Sequence, residues 1–320
     1  MSSDAPRLQM RPATAKKRRS GKLHQIRQNG ALYVLILPAF LYFLIFAYVP
    51  MYGVQIAFKN FVSNKGFLGS EWADPIFKHF QTFFSSVNFG SIVGNTLSLS
   101  LYYILASFPA AIILAIMINE VKNMRFKKLV QNFTYIPYFI STVVLVGMIQ
   151  LFFSSSGFVN QIIEALGGGK VMFLMKDGVF NDLYVWSGVW QSTGYGAIIY
   201  IAALAGVSQE LYEAATIDGA TRFQRIMHVS LPAIMPTIVV MLIMTVGGIM
   251  NLSFEKVLLM QTEGNIGVSE VISTYVYKLG IQKAQYSLSS AVGLFNNVIN
   301  LVLLIAVNSI SRKISESSLW

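Results

Sequence analysis

The amino-acid sequence predicts an all-α membrane protein, a polytopic helical bundle with six transmembrane helices. Of its 320 residues, 54% are hydrophobic and only 12% are charged, whereas soluble domains have about 25% charged residues. Six apolar segments lack Lys, Arg, Asp and Glu and are long enough, at about 20 residues or more, to cross a bilayer. These predicted spans are Ala31–Pro50, Asn95–Asn119, Phe133–Phe153, Tyr184–Val207, Ala233–Phe254 and Ser287–Ile310.

Span one follows a basic tail, residues 1–30. It lacks a small-residue cleavage pattern and is followed by the charged segment Lys59–Lys78, so it is predicted to be an anchor and not a cleaved signal peptide. The run Lys16–Arg19 resembles a nucleic-acid patch when taken alone. A basic run beside a first span is also what topology bias and anionic lipids predict. We therefore expect the lipid bilayer, and no nucleic acid, as its partner.

The basic residues lie mainly on one side of the predicted bundle. The N-terminal tail, the second and fourth connections and the C-terminus together contain 16 Lys and Arg against six acidic residues. The other three connections contain seven of each kind. Because Lys and Arg near the spans are retained in the cytoplasm, both termini and the fourth connection are predicted to be cytoplasmic.

Two prolines fall inside predicted spans. Pro109 in span two and Pro137 in span three each remove a backbone hydrogen bond and permit a kink, and two interpretations remain open for both, a hinge and a simple bend. The external segment Met51–Gly94 is rich in aromatic residues. Two interpretations remain open for it: packing at the membrane surface, and contact with a protein that delivers the cargo.

The fourth connection, residues 206–233, is the most informative segment. Glu210–Thr216 is composed of good helix formers, and its two alanines allow another protein to approach the backbone closely. Gly219 can end this helix in a left-handed conformation. Thr221 can then cap a second helix, Arg222–Val229, before Leu231-Pro232 opens span five. The pattern predicts a helix–turn–helix parallel to the membrane.

This connection resembles the EAA loop of the membrane subunits of binding-protein-dependent ATP-binding-cassette importers. The matching residues are Glu213-Ala214-Ala215, then Gly219 after three residues, and Val229-Ser230-Leu231-Pro232 after nine more. The family pattern has isoleucine at the position of Val229, a conservative difference. In topology the resemblance covers about Ala31–Lys313, and it is greatest to permeases for sugars, particularly oligosaccharides.

The resemblance implies a type I importer permease fold in a bacterial inner membrane, with a permease domain at residues 31–313 and a cytoplasmic tail at residues 314–320. By position, Glu213 would be the charged contact to a separate ATPase, Ala214 and Ala215 the close-packing surface, and Gly219 the turn. The coupling set is completed by Asp218, Leu231 and Pro232. The implied partners are a second permease, expected to be a different chain, two ATPase subunits that bind ATP and Mg²⁺, and an extracytoplasmic solute-binding protein.

The spans themselves suit a neutral, hydroxyl-rich cargo, because they offer amides and aromatic rings and no charges. The candidate pathway residues are Asn251, Phe254, Asn296, Asn297, Asn300, Trp190 and Tyr195, with Trp186 and Gln191 beside them. For the asparagines the alternative is hydrogen bonding between helices, and for the tryptophans it is the interfacial aromatic belt. Glu255-Lys256 is interpreted as an interfacial pair, with a substrate vestibule as the alternative.

Other function classes find little support in the sequence. There is no cysteine and there are only three histidines, so no metal site is expected. No catalytic set of residues and no phosphate-binding G-x-x-x-x-G-K-[ST] loop occurs. We therefore expect a transport subunit without its own cofactor. The alternatives are a permease for another delivered solute and a self-contained secondary carrier, although the latter usually needs carboxylates within its spans.

Overall fold

A computed structural model of the chain describes residues 29–315. Most of the predicted N-terminal tail, including Lys16–Arg19, lies outside these residues. Nearly all of the predicted C-terminal tail also lies outside them. The described residues divide into two compact units, with the boundary between Val54 and Gln55. Each unit is described by itself.

In the first unit, helix α1 (Gly30–Phe43) continues through a π-helical segment, Leu44–Tyr48, and a last α turn, Val49–Met51. The π geometry has a local cause in Pro50. Proline has no N–H to donate to the carbonyl four residues earlier, and its ring collides with that carbonyl, so the helix widens just before it. This unit contains the predicted span one. A 3₁₀ segment, Tyr52–Phe58, spans the boundary between the units.

The second unit is helical apart from turns and, in the part of the chain that is described, one isolated bridge between Lys59 and Trp72. Its helices are α2 (Gly66–Gly69), α3 (Lys78–Phe84), α4 (Phe89–Glu120), α5 (Met124–Tyr135), α6 (Thr142–Phe153), α7 (Phe158–Ala165), α8 (Asp177–Ala205), α9 (Gln209–Ile217), α10 (Arg222–Gly247), α11 (Phe254–Met260), α12 (Ile266–Ser269), α13 (Ile272–Tyr277) and α14 (Tyr286–Ser315).

Five helical stretches in residues 29–315 are long and apolar enough to cross a membrane: Gly30–Phe58, Phe89–Glu120, Thr142–Ala165, Arg222–Gly247 and Tyr286–Lys313. The remaining predicted span, the fourth (Tyr184–Val207), corresponds to α8, which has 29 residues but is less apolar because of polar side chains such as Gln191 and Ser192. The prediction of an all-α polytopic membrane protein is confirmed.

The predicted third span, Phe133–Phe153, is wrong as a single helix. Helix α5 ends at Tyr135, a 3₁₀ turn covers Ile136–Phe139, and α6 begins at Thr142. Pro137 therefore breaks the helix, whereas Pro109 lies inside the continuous helix α4. The difference arises because residues after Pro137 begin a new helix, for which Ser141 provides the N-cap by accepting a bond from the Val144 N–H.

The predicted fifth span, Ala233–Phe254, is displaced along the chain. Helix α10 begins at Arg222 and ends at Gly247, where Gly248 follows, so the predicted separate helix Arg222–Val229 is its first part. A π-helical segment, Ile226–Ser230, precedes Pro232, which repeats the arrangement at Pro50 and for the same reason. The end is early because two consecutive glycines weaken the helix although the apolar run continues.

Helices α4 and α8 pack closely along their length. At one level of this contact, Ala111 and Ala115 of α4 are buried together with Ala197 and Tyr200 of α8. Small side chains permit the two helices to approach this closely. Helix α8 also approaches the end of α5. A Cβ at Gly194 would collide with the carbonyl oxygen of Thr134, so glycine is required there.

Helices α10 and α14 run antiparallel. Gly247, at the end of α10, lies against Leu304, and the backbone just beyond it, at Met250, meets Asn300. The first residue of α14, Tyr286, is therefore at the end of the bundle opposite the α9–α10 connection. A second core, which includes Phe83, Ile92 and Val292, joins this end of α14 to α3 and α4.

Candidate coupling loop and translocation residues

The α9–α10 connection is a compact structure whose local geometry follows from its sequence. Ser208 caps α9 by accepting a hydrogen bond from the Glu210 N–H, 3.3 Å away. The helix ends with Gly219 at φ +78°, and the Ala220 N–H closes the turn on the Ala215 carbonyl at 2.9 Å. This is the glycine-ended helix cap that the spacing predicts.

Thr221 begins α10 with a capping box. Its hydroxyl accepts from the Gln224 N–H at 3.3 Å, and the Gln224 side-chain oxygen accepts from the Thr221 N–H at 2.7 Å. The helix then continues into span five without interruption, so the predicted design of two separate helices parallel to the membrane is wrong for its second half. Leu231 and Pro232 lie inside this continuous helix and do not open a new one.

Two hydrogen bonds brace α9 against α10. The Tyr212 and Ser230 hydroxyls are 3.0 Å apart, and Ser230 is buried. The Arg225 guanidinium donates to the Thr216 hydroxyl, also at 3.0 Å. Together they fix α9 to the first turns of α10, so the loop is held as one unit with that helix.

The predicted coupling residues lie on the surface of this unit. Glu213, Ala214, Asp218 and Gly219 are exposed, and Ala215 is half-buried. Within residues 29–315, the Glu213 carboxylate makes no ion pair and no side-chain hydrogen bond. A charged group and a small-residue surface are therefore both available to another protein.

The predicted pathway asparagines form one hydrogen-bonded cluster. The Asn251 side-chain oxygen accepts from the Asn296 amide at 3.1 Å and from the Asn300 amide at 3.0 Å. Asn300, which is buried, also accepts from the Met250 N–H at 3.0 Å. The cluster ties the residues after α10 to α14, as the helix-joining alternative predicts. Asn297 is exposed, and its side chain makes no hydrogen bond within the described part of the chain.

The predicted aromatic residues divide between two places. Trp190 and Tyr195 are exposed on α8, where Tyr195 stacks on Tyr138 with ring centroids 3.8 Å apart. Phe254 lies at the opposite end of the bundle from the α9–α10 connection, with its ring 4.9 Å from that of Tyr277. No ring contact or hydrogen bond joins Trp190 or Tyr195 to the asparagine cluster among the residues described.

Two neighbours of these residues have identifiable partners. Trp186 donates to the Tyr102 hydroxyl at 3.0 Å, and Tyr102 in turn donates to Asp182 at 2.8 Å. The Gln191 amide donates to the Ile140 carbonyl at 2.7 Å, across the break before α6. Gln191 therefore has a structural contact that accounts for its position.

The interpretation of Glu255-Lys256 as an interfacial pair is wrong. Glu255 is exposed, but Lys256 is only 5% exposed and points into the bundle. Its ammonium group donates to the Tyr184 carbonyl at 2.8 Å and lies 4.6 Å from the centre of the Tyr184 ring. The carbonyl and the ring provide partial compensation for the buried charge. No carboxylate pairs with it in residues 29–315.

Comparison with known proteins gives the decisive observation. The model of the family described as "Binding-protein-dependent transport system inner membrane component" matches residues 107–316, which include the α9–α10 connection and the asparagine cluster. The chain belongs to this family. It is thus a multi-pass inner-membrane permease component, a transport subunit and not itself an enzyme.

Individual relatives cover nearly the whole permease. It is 42% identical to Protein LplB of Bacillus subtilis (strain 168) over 92% of each chain. It is 40% identical to the polygalacturonan/rhamnogalacturonan transport system permease protein YteP of the same organism over 95% of each chain. A crystal structure of a bacterial ABC transporter that imports the acidic polysaccharide alginate matches at 39% identity and a TM-score of 0.84, covering 92% of the permease and 99% of that chain.

Sequence reasoning missed two exposed apolar residues of the permease's loop. Ile217 is 86% exposed and Phe223 is 71% exposed, on either side of the Gly219 turn. Large apolar side chains exposed together commonly mark a surface that another protein covers. The sequence could have identified them, because an Ile directly precedes Asp-Gly and a Phe follows the capping threonine by two residues. Both lie in a connection that is predicted to be cytoplasmic and therefore exposed to water.

Proposed function

We propose that this permease forms, with a second and different permease, the translocation pathway of an ATP-driven oligosaccharide importer. An extracytoplasmic binding protein delivers the cargo, and two separate ATPase subunits bind ATP and Mg²⁺ and supply the energy. Support comes from the family match and from relatives whose names specify oligosaccharide or polysaccharide transport. The related alginate importer also has a structure in complex with its periplasmic protein, loaded with alginate pentasaccharide.

The α9–α10 loop is the proposed coupling element. Its exposed surface combines the unpaired carboxylate of Glu213, the small Ala214 and the apolar Ile217 and Phe223. Aromatic and aliphatic anchors beside a charged group are the composition expected at the centre of a protein interface. The braces from Tyr212 and Arg225 support transmission of movement at this surface to helix α10.

The loop and both termini are cytoplasmic in this proposal. The support is the distribution of Lys and Arg, which places the whole positive excess on the side of the loop and the tails. The end of the bundle that holds Tyr286 then faces the binding protein.

The cargo is proposed to be an oligosaccharide that contains uronic acid units. The relatives near 40% identity include one named for polygalacturonan and rhamnogalacturonan and one described as importing alginate, whereas a relative named for arabinooligosaccharides is 27% identical. The buried ammonium of Lys256, for which the described residues provide no carboxylate, is compatible with an anionic cargo in the bundle. The experiment that tests this proposal therefore compares uptake of a uronic acid oligosaccharide with uptake of a neutral oligosaccharide.

The testing experiment is purification of the tagged chain from its native membranes in mild detergent, with mass-spectrometric identification of bound proteins. Uptake of trigalacturonate and of arabinotriose is then measured with the recovered assembly in vesicles that contain ATP, with the binding protein supplied on the outside. The expected result is recovery of an ATPase and a second permease, with faster uptake of trigalacturonate. A homo-oligomer without ATPase that transports alone would contradict the proposal and favour a secondary carrier.

A further inference from the structure

Two adjacent cavities share Tyr286 at the end of the bundle opposite the coupling loop. One has a volume of about 360 Å³ and lies between the segment at residues 60–62 and the start of α14. The other has a volume of about 340 Å³ and lies between α11, α13 and α14. Both volumes fall in the range of about 300–1,000 Å³ that is typical of small-molecule sites. We call the pair the Tyr286 groove.

The groove is held in shape by hydrogen bonds between distant parts of the chain. The Ser287 hydroxyl, which is buried, donates to the Lys59 carbonyl at 2.6 Å and accepts from the Phe61 N–H at 2.9 Å. A His79 ring nitrogen bonds the same carbonyl at 3.0 Å. Since a carbonyl accepts only, this nitrogen carries the proton. These bonds attach the segment before α4 to the first turn of α14 and preform the wall of the groove.

Aromatic rings line both halves of the groove. Phe61 meets Tyr286 edge to face, with ring centroids 5.9 Å apart. Phe254 and Tyr277 lie 4.9 Å apart in the other half. Tyr286 itself is 38% exposed, so ring area remains available in the groove. Flat aromatic surfaces of this kind suit the C–H faces of sugar rings.

Polar groups without protein partners lie beside these rings. Among the described residues, the side-chain amides of Asn60 and Gln285 make no hydrogen bond, and both residues line the groove. In the other half, the Ser273 hydroxyl is shielded from solvent and also unpartnered. Amides and hydroxyls that both donate and accept are matched to the hydroxyl groups of a sugar.

The lining carries no Lys, Arg, Asp or Glu. Burial lowers the pKa of His79 below its ordinary value, so its ring is neutral near pH 7. A neutral lining offers no ion-pair partner to a ligand, so the contacts that it provides are ring stacking and hydrogen bonds to hydroxyl groups, which neutral sugar units and uronic acid units both have.

We propose that the Tyr286 groove is a carbohydrate site that holds two consecutive sugar units of the cargo before they enter the bundle. Tyr286 lies at the junction of the two halves, and Phe61 and Tyr277 provide a ring in each half. The inference rests on the proposed function, because it takes the cargo to be an oligosaccharide. It adds a location and a set of contacts that the pathway asparagines do not include.

The absence of cysteine from the sequence allows a direct test by labelling. Gln285→Cys places a thiol in the groove, and Gln161→Cys places one on exposed α7, outside the groove. Each variant is purified as the complete assembly and treated with a maleimide, with and without saturating trigalacturonate or arabinotriose. Since a bound sugar covers most of its site, labelling of Cys at position 285 is expected to slow by about fivefold or more, while labelling at position 161 is unchanged.

A second pair of variants tests the stacking contact. Tyr286→Ala is expected to raise the KM for uptake by about tenfold, which corresponds to about 1.4 kcal/mol of binding free energy, with little change in maximal rate. Tyr286→Phe retains the ring and is expected to stay within about twofold of wild type. Equal KM values for wild type and Tyr286→Ala would contradict the proposal.

The outcomes separate the groove from the proposed function. If an oligosaccharide is taken up but neither sugar slows labelling at position 285, the groove proposal is overturned and the importer proposal stands. If no oligosaccharide is taken up by the wild-type assembly, the proposed function itself fails. If the sugar-free binding protein alone protects position 285, while sugar without binding protein does not, the surface is a protein docking site and the carbohydrate proposal is overturned.

Discussion

Gly219 sets the turn of the coupling loop because its φ of +78° lies where a side chain is strained. A Cβ at this position meets no atom within 4 Å, so the cost of a substitution comes from the backbone alone. We expect Gly219→Val to destabilise the turn by about 1–2 kcal/mol and to reduce ATPase recovery. Asparagine tolerates this conformation, so Gly219→Asn should retain the recovery of the ATPase. Equal recovery of the ATPase with both variants, measured by co-purification, would contradict this role.

Glu213 and Glu210 provide a matched pair on the same helix, and both are exposed. We expect Glu213→Ala to lower the amount of co-purified ATPase by about tenfold, as loss of about 1.4 kcal/mol at an interface predicts. Glu210→Ala should leave recovery within about twofold of wild type, because its charge mainly favours the N-terminus of α9. Membrane insertion of both variants serves as the control. If the two variants behave alike, Glu213 has no special contact.

His79 makes the groove wall sensitive to pH. Burial is the first cause of its lowered pKa, and the charge of Lys78 lowers it further, while the bond to the Lys59 carbonyl opposes both. Because the folded pKa lies below the ordinary value of 6.5, the unfolded segment binds the proton more readily. This contribution to stability is therefore present above about pH 6.5 and is lost progressively as the pH falls below it.

We expect faster hydrogen exchange at residues 59–85 near pH 5.5 than at pH 7.5, after correction for intrinsic rates, in the wild-type assembly. His79→Gln keeps a neutral donor toward the Lys59 carbonyl and should remove this pH dependence. An equal pH dependence in the variant would assign the effect to another group.

At the scale of elements, the α9–α10 unit transmits movement only if its two braces hold. Tyr212→Phe removes the bond to Ser230, and Arg225→Gln removes the guanidinium bond to Thr216. We expect the double variant to retain bound ATPase but to lose most of the stimulation of ATP hydrolysis by loaded binding protein. The ratio of stimulated to basal hydrolysis is the measurement. Full stimulation in the double variant would show that the loop transmits movement without these bonds.

The junction of α10 and α14 depends on Asn300, which bonds both the Asn251 side chain and the Met250 backbone. We expect Asn300→Ala to lower the free energy of unfolding by about 1–3 kcal/mol, because a buried N–H loses its partner. Asn297→Ala, at an exposed position on the same helix, should leave thermal stability unchanged. Thermal unfolding of the assembly in detergent distinguishes them, and equal midpoints would argue against a joining role for Asn300.

At the scale of the whole molecule, the features that follow from local sequence were predictable. The apolar runs give the helices, and Ser208, Gly219 and Thr221 give the ends of α9 and α10, because capping and turn preferences act within a few residues. The joining of Asn251 with Asn296 and Asn300 was one of two alternatives, since residues four apart share a helix face. The end of span five was misplaced because Gly247-Gly248 interrupts an otherwise apolar run.

Features that depend on distant segments were not predictable. Lys256 follows a predicted span, yet it is buried because α11 packs against Tyr184 of α8. The Tyr286 groove brings Phe61 beside a residue more than 200 positions later in the chain. No periodicity reports such contacts, because they are fixed by the packing of whole helices and not by neighbouring residues.

Because α10 is one continuous helix, a tilt at the loop end displaces its far end. Its 26 residues correspond to about 39 Å of helix at about 1.5 Å per residue, so a tilt of about 10° at the loop would carry the far end by about 7 Å. The bonds from Asn251 and Met250 to α14 span about 3 Å and cannot stretch by that amount. A movement of the loop must therefore tilt α10 and α14 together, or break the hydrogen bonds of the asparagine cluster in every transport cycle.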